Sequence, residues 1–600
     1  MKTAPFSRRS ILLGLSFRFV LGIVLGIGFS SAAVTYEVSQ RSPQATDDGP
    51  GSTDQPWKTL APAARKAAAG DTVLIHGGVY RESVVLKSSG TPEAPVHFEA
   101  APGEQVILTG ADQLTAWEKA DGDPPIYHVP WPYRFNPGSK NMTYPDNEHH
   151  RLIGRCEQVM VNGYPLRQVL GSSQLAPGTF FADTVNRTLW AWDTANRDLR
   201  KAFVEASVRQ EILHVQGDCV QLRGLRFRYA ANPAHHDAVL LGGSHDAMED
   251  CIIESMNACG ADFAGEHVLV RRCVFRDNGQ LGFCARRAHH LLFTDCLVEN
   301  NNTKDFSRGW EAGGDKLVLC RDAVLERSRF LRNRGNGIWF DIGNENCTVR
   351  QCLIADNEDS GIFYEISFGL RAHDNVICGN GFASTAGAWG AQAGISLSSS
   401  PNCVIERNLI VGNREGFNFR EQSRRTPTID KGPSRPIWNH DQLIRHNMFV
   451  LNRDAQVWGW FDVKDNRQWP AGSQPSELPP ARASAKPDDI AGPYAAQTSD
   501  GQPRDLTLEK LRLNFEHNLY FAAPGQGWFK WGVTWGRHMN LASLSEFQSN
   551  LGIDTAGQVL NPSFADLLQM DYRLPAEVLA KVKESYPEAS VPGVQLGPRP

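Results

Sequence analysis

The sequence predicts an all-β chain wound as a right-handed parallel β-helix, with an inserted β-rich lobe and a short N-terminal capping helix. Three observations predict it. A phrase recurs from residue 250 onward, in which a small residue and two or three apolar ones are followed by Asn five positions after the first. It reads Cys273-Val274-Phe275 with Asn278, Cys296-Leu297-Val298 with Asn301, Ser328-Arg329-Phe330 with Asn333, and Cys352-Leu353-Ile354 with Asn357. Asn375, Asn408 and Asn447 open three more copies, closed by Asn380, Asn413 and Asn452. The closing asparagines are 23, 32, 24, 23, 33 and 39 residues apart, so the unit is a coil of about 23 residues with loop insertions. The length of 600 residues also exceeds the ~250–300 that one compact core supports. A coil this short cannot bury its own apolar face, but a stack of coils buries a continuous one. The Asn column would satisfy backbone groups at the turns.

The elements follow in chain order. Residues 1–33 read as an export signal: Lys2, Arg8 and Arg9 precede an apolar run from Phe19 to Phe29, and Ser30 to Ala33 supply small residues for cleavage. Ser7-Arg8-Arg9-Ser10 resembles a twin-arginine signal, and a general secretory route fits as well. The expected location is periplasmic, extracellular or cell-surface, with no stable membrane association once the signal is removed. Residues 34–125 form the cap and first coils. Pro56 precedes a short helix expected over Trp57–Ala68, covering the exposed end of the core. Gly70-Asp71-Thr72-Val73-Leu74-Ile75 and Gly77-Gly78-Val79-Tyr80-Arg81-Glu82 resemble the opening coil of pectate-lyase-like β-helix proteins.

The period breaks over 126–205, where Gln158–Gly163 and Leu189-Trp190-Ala191-Trp192 alternate like strands, and an inserted lobe is expected. Residues 206–462 are the central β-helix. Residues 463–512, rich in Pro, Ser, Ala and Asp, read as a long loop. Residues 513–600 hold a last coil, beginning at Asn518-Leu519-Tyr520-Phe521, and a tail in which Trp528, Trp531 and Trp535 suit core packing better than a sugar platform.

Composition excludes several functions. With 61 basic against 66 acidic residues the net charge is −5, which speaks against a nucleic-acid binder working by bulk positive charge. No Gly-rich strand–turn–helix motif suggests a nucleotide cofactor. The twelve cysteines follow no CxxC spacing, which argues against zinc, and His235-His236-Asp237 reads as a polar turn.

Chemistry concentrates on one strand of each coil. Gly282-Phe283, Gly309-Trp310, Gly337-Ile338, Gly361-Ile362, Gly394-Ile395 and Gly416-Phe417 align as strand starts. Alternation then turns Ile338 and Phe340 inward, and Trp339 and Asp341 outward. Down the stack one outward column should read Cys284, Glu311, Trp339, Phe363, Ser396, Asn418. Its neighbour should read Arg286, Gly313, Asp341, Glu365, Ser398, Arg420. Asp341 and Glu365 are one coil apart, at ~4.8 Å of backbone spacing. Like charges that close make one carboxyl hold its proton to higher pH. A protonated acid beside an ionised carboxylate, flanked by Trp339 and Phe363, suits glycoside hydrolysis.

Gly337-Ile338-Trp339-Phe340-Asp341, followed one coil later by Gly361-Ile362-Phe363-Tyr364-Glu365, resembles the active site of glycoside hydrolase family 120, β-xylosidases built on a β-helix with an inserted β-sandwich lobe. The resemblance implies a retaining glycosidase in which Asp341 is the nucleophile, Glu365 the acid/base and Glu311 a substrate-binding residue. An oligo- or polysaccharide would be the partner, and no cofactor is needed. Arg286 and Arg420 would flank the acids as clamps or counter-ions, with Asn418 and Lys316 also at the substrate.

Two other readings stand. In a polysaccharide lyase Lys316 or Arg420 would remove a proton beside a uronate, and Asp341 and Glu365 would hold calcium. A non-catalytic β-helix could bind glycans without using the acids.

Overall fold

The computed structural model describes residues 33–135, 148–384, 392–421, 424–461, 512–532, 538–567, 569 and 571–585. The export signal, apart from Ala33, lies outside them, as do nearly all of the 463–512 segment and Trp535.

The chain is a right-handed parallel β-helix. Each central coil contributes three short strands, for example Leu292–Thr294, Leu297–Glu299 and Gly313–Val318. Each of these strands pairs in parallel with its counterpart one coil away, and among the described residues the coils build three sheets of thirteen strands, one of them ending in an antiparallel strand, His538–Leu541. Inward residues stack in rows through the core. Phe263 meets Phe283 at 5.7 Å between ring centroids, and Phe283 meets Phe293 at 4.6 Å. One apolar cluster runs from Val38 to Ile553.

The turn asparagines form a buried ladder. The amide nitrogens of Asn301, Asn333 and Asn357 each donate to the Oδ1 of the next asparagine at 2.9 Å, and to backbone carbonyls of a neighbouring coil. A second ladder runs Asn375, Asn408, Asn447, Asn518. Buried turn groups are thus satisfied by side chains that are themselves satisfied. No cysteine of the twelve is in a disulfide, and all are buried.

Both ends of the core are covered. At the N-terminal end the helix is confined to Ala61–Lys66, with Pro62 in its first turn. Trp57 is not helical, contrary to the sequence reading. Its amide donates to the Glu37 carbonyl at 2.9 Å and its ring stacks on Tyr36, because its backbone pairs with the first strand. At the other end the helix Leu544–Leu551 is capped by Ser543, and Phe547 lies 4.2 Å from Phe529. No helix among the described residues is long and apolar enough to cross a membrane.

Between residues 111 and 207 the chain builds a lobe of one four-stranded and one five-stranded sheet around Trp117, Tyr127, Trp131, Phe180 and Leu189. A helix at its edge, Glu148–Ile153, returns to the β-helix. There Ile153 packs with Ala234, Phe306 and Ala312, tying the lobe to the 302–312 turn.

Candidate active site

One sheet carries the strand column that positions the outward chemistry. Its glycines stack because the next coil passes too close for a side chain. A Cβ on Gly282, Gly314, Gly337 or Gly361 would lie 2.2–2.8 Å from the carbonyl oxygen of the next glycine in the column. Gly314, not Gly309, occupies the column between Gly282 and Gly337, so this coil is shifted from the register expected. Its strand is Gly313–Val318, in which Lys316 pairs with Cys284 and Val318 with Asp341. The outward columns therefore read Cys284, Lys316, Trp339, Phe363, Ser396, Asn418 and Arg286, Val318, Asp341, Glu365, Ser398, Arg420. Glu311 and Gly313 leave them, because the extra residues of this coil lie in the turn before its strand.

Strands Ile338–Asp341 and Ile362–Glu365 pair with Trp339 beside Phe363, which continues to Asp341 beside Glu365. The four side chains line a pocket of about 180 Å³ with Lys316, Arg424, Arg308, Gly309, Asn336 and Asp359. Trp339 and Phe363 form one wall, their rings 5.7 Å apart and 29° from parallel.

Each acid of the pair has its own cation. Lys316 Nζ lies 2.9 Å from Asp341 Oδ2 and 3.1 Å from Glu311 Oε1, and sits 4.3 Å above the Trp339 ring. Arg424 donates to Glu365 Oε1. Burial pushes the Asp341 carboxyl above its ordinary range; Lys316 pulls it back and Glu365 adds to the rise. Burial alone would lower Lys316, but Asp341 and Glu311 outweigh it and hold the ammonium above its usual range. Glu311 is pushed up by burial, yet Lys316 and His235 outweigh this and keep it below the ordinary carboxylate range. Glu311 thus reaches the site through Lys316, from a turn whose Trp310 ring lies 3.8 Å from His235.

Sequence reasoning missed the far side of the pocket. Arg308 donates from Nε to Asp359 at 3.0 Å, and burial pushes Asp359 up to about 6 against the pull of Arg308. Asp359 Oδ1 is buried without a partner. Asp315 points inward, in register with Phe283, and accepts the Trp339 backbone N–H at 2.9 Å. Burial holds its carboxyl well above the usual range, and its bond to the Trp339 N–H steadies that strand.

Three expected residues stand elsewhere. Arg286 turns to Asp237 and Asp262, at 2.8 and 2.9 Å, toward the N-terminal coils. Arg420 is fully buried outside the pocket, because the chain after Glu421 folds back as the hairpin of Arg424–Thr426 and Arg435–Ile437. That same hairpin brings Arg424 to Glu365. Asn418 is buried and donates to Glu415 at 2.6 Å, also away from the pocket.

Comparison with known proteins agrees on the architecture. A family model described as the right handed beta helix region matches residues 237–391. Over 75 residues the chain is 42% identical to the uncharacterized protein YwoF of Bacillus subtilis, covering 12% of this chain and 16% of that one. Over 73 residues it is 36% identical to pectate lyase PEL9 of Emericella nidulans, covering 12% and 18%. The chain spans about a sixth of the length of these curated relatives. Among solved structures, XylC in complex with xylose superposes with a TM-score of 0.61 at 17% identity, over 88% of this chain and 87% of that one. That likeness is one of fold.

Proposed function

We propose that this chain is an exported carbohydrate-active enzyme, a retaining glycoside hydrolase that acts on an oligo- or polysaccharide. Asp341 is the nucleophile, Glu365 the general acid/base, and Lys316 with Glu311 orient the nucleophile and the sugar. The observation that carries the reading is the carboxyl pair on adjacent strands, opening into a pocket walled by Trp339 and Phe363, with the Lys316 ammonium on Asp341. Adjacent strands lie ~4.7–4.9 Å apart, near the ~5–5.5 Å between carboxyls of retaining glycosidases.

In the first step Asp341 attacks the anomeric carbon while Glu365 protonates the leaving oxygen. In the second, Glu365 takes a proton from water, which releases the sugar from Asp341. The aromatic wall offers apolar faces to a sugar ring. Asp359 Oδ1 is an acceptor for a sugar hydroxyl, and Arg308 is a donor beside it. The resemblance of the Asp341 and Glu365 phrases to those of β-xylosidases makes xylosides the first substrates to test.

The electrostatics favour this reading over a lyase. A catalytic base must be able to lose its proton, whereas Lys316 is bonded to two carboxylates and held above its ordinary range. Arg420, the other base considered, lies outside the pocket. Asp341 and Glu365 are each occupied by a side-chain cation, which leaves them poorly placed to share a calcium ion.

The test is product analysis of wild type and Asp341→Ala on a panel of aryl glycosides and plant polysaccharides, with ultraviolet monitoring for unsaturated sugars. Wild type should release a saturated sugar, and the variant should be inactive until azide is added as a substitute nucleophile. A calcium-dependent, ultraviolet-absorbing product would overturn the hydrolase reading.

A further inference from the structure

We propose that Asp237, Cys259 and Cys284 form a binding site for one thiophilic divalent cation, zinc by the chemistry of the donors, separate from the carboxyl pocket. The three residues come from three successive strands of the site-bearing sheet, Asp237–Leu241, Cys259–Phe263 and Leu281–Arg286. Their donor atoms all lie within 4.8 Å of one another. A tetrahedral zinc ion with Zn–S of ~2.3 Å and Zn–O of ~2.0–2.2 Å sets its donors ~3.5–3.8 Å apart, so binding draws the three side chains together by up to ~1 Å.

Two features mark the cluster as built to hold a ligand. All three side chains are buried, and Asp237 Oδ1 has no hydrogen-bond partner although its residue is only 6% exposed. The other oxygen is fixed: Arg286 Nη1 holds Asp237 Oδ2 at 2.8 Å and Asp262 Oδ2 at 2.9 Å. An outer guanidinium that pins one oxygen and leaves the second to the metal is a common outer-shell arrangement. It also gives Arg286 a role in place of the substrate contact expected from the sequence.

The donors choose the ion. Two thiols and one carboxylate suit zinc, and are wrong for calcium or magnesium, which take oxygen ligands. Three protein ligands leave a fourth position for water. A disulfide is a poorer outcome for the same thiols. Register places Asp262, not Cys259, opposite Cys284, so the cysteines are three positions out of step. Both are free thiols, and their sulfurs lie close enough to Asp237 to share an ion with it. The absence of a CxxC motif therefore has no bearing here, because the stacking of coils brings the ligands together.

The site adjoins the wall of the carboxyl pocket. Cys259 Sγ donates to Gln280 Oε1 at 3.7 Å, which also accepts the His235 N–H at 2.9 Å. Gln280 Nε2 donates to the Glu311 carbonyl at 2.7 Å. A bound ion displaces the Cys259 proton and leaves Gln280 held by the His235 N–H and the Glu311 carbonyl, so its role is to tie together three successive strands of the sheet.

The experiment uses the full chain, purified reduced and stripped with chelator, then loaded with zinc or cobalt and gel-filtered. The expected result is one ion per chain and, with cobalt, a near-ultraviolet thiolate-to-cobalt charge-transfer band. Cys259→Ser/Cys284→Ser should abolish both, Asp237→Asn should weaken binding by more than the ~10–100-fold that loss of an outer-shell partner costs, and Cys403→Ser should change nothing. If the double variant does not fold, the wild-type band and its weakening in Asp237→Asn carry the test. Wild type without a thiolate band, a band that survives the double substitution, or a Cys259–Cys284 disulfide in place of the ion would each overturn the proposal.

Discussion

Replacing Lys316 by Met removes the cation from the nucleophile while keeping a side chain of similar length beside Trp339. The pair is nearly out of water, with side-chain exposures of 7% and 11% and a separation of 2.9 Å. Removing one partner of a buried ion pair costs ~3–5 kcal/mol, because the remaining charge is left uncompensated. That cost falls on the ionised Asp341, the only form that can attack. Asp341 escapes part of it by taking up a proton, which inactivates it.

At 1.36 kcal/mol per tenfold in rate, the expected loss in kcat/KM at neutral pH is about 10²–10³-fold. The sign of the pH effect follows from the same pair. Activity falls as pH drops through the Asp341 pKa, and without the ammonium that pKa is higher. The acid limb of the kcat/KM profile should therefore move to higher pH, and the loss should shrink as pH rises. The assay is a full pH profile of both proteins on the best aryl glycoside of the panel. An unmoved acid limb with activity within threefold of wild type would refute the pairing argument. An equal loss at every pH would instead make Lys316 itself the proton acceptor and return the site to lyase chemistry.

Two further perturbations probe the scaffold and the far wall. Asn357 accepts from the Asn333 backbone and side chain and donates to the Phe330 carbonyl and Asn380 Oδ1. Each buried group left unsatisfied costs ~1–3 kcal/mol, so Asn357→Ala should lose about 3 kcal/mol or more in urea unfolding, and a loss below about 1 kcal/mol would mean the ladder is ornamental. Asp359 is pushed up to about 6 by burial, so the folded state holds its proton more tightly than the unfolded chain. Its contribution is present below the unfolded-state pKa and is lost as pH rises to about 6, on the order of 3 kcal/mol. Asp359→Asn should flatten stability across that window, and an unchanged stability–pH curve would show that Arg308 already compensates the charge.

The repeat was legible because stacking imposes it: the Asn column and the rows of small and apolar residues recur wherever a coil must meet its neighbour. The stacked acids were legible for the same reason, since Asp341 and Glu365 lie 24 residues apart in coils without insertions. Legibility failed wherever a coil carries extra residues. Between Asn301 and Asn333 the pattern offers Gly309, Gly313 and Gly314 as strand starts, and only the close approach of neighbouring carbonyls selects Gly314. Choosing Gly309 put Glu311 in the column and hid Lys316 as the ligand of Asp341. The 39-residue step between Asn413 and Asn452 contains the hairpin that covers Arg420 and delivers Arg424, a fold-back that no local period announces. Arg308 and Asp359 meet across 51 residues through the same kind of excursion.

The coil spacing itself makes a stereochemical prediction. On this sheet the separation of two outward carboxyls depends mainly on how many strands divide them, since each strand adds ~4.8 Å. One strand apart, Asp341 and Glu365 have no room for a water molecule behind the sugar, so the second acid must act on the carbon directly. Two strands apart they would stand near ~9.6 Å, at the inverting end of the range, where water is the attacking group. The first-formed sugar should therefore carry the same anomeric configuration as the substrate, read by proton NMR within the first minutes before mutarotation. An inverted first product would mean that one acid of this pair is not catalytic. The partner would then have to come from across the pocket, and Asp359, bonded to Arg308 and with one oxygen unpartnered, is the carboxyl placed to be it.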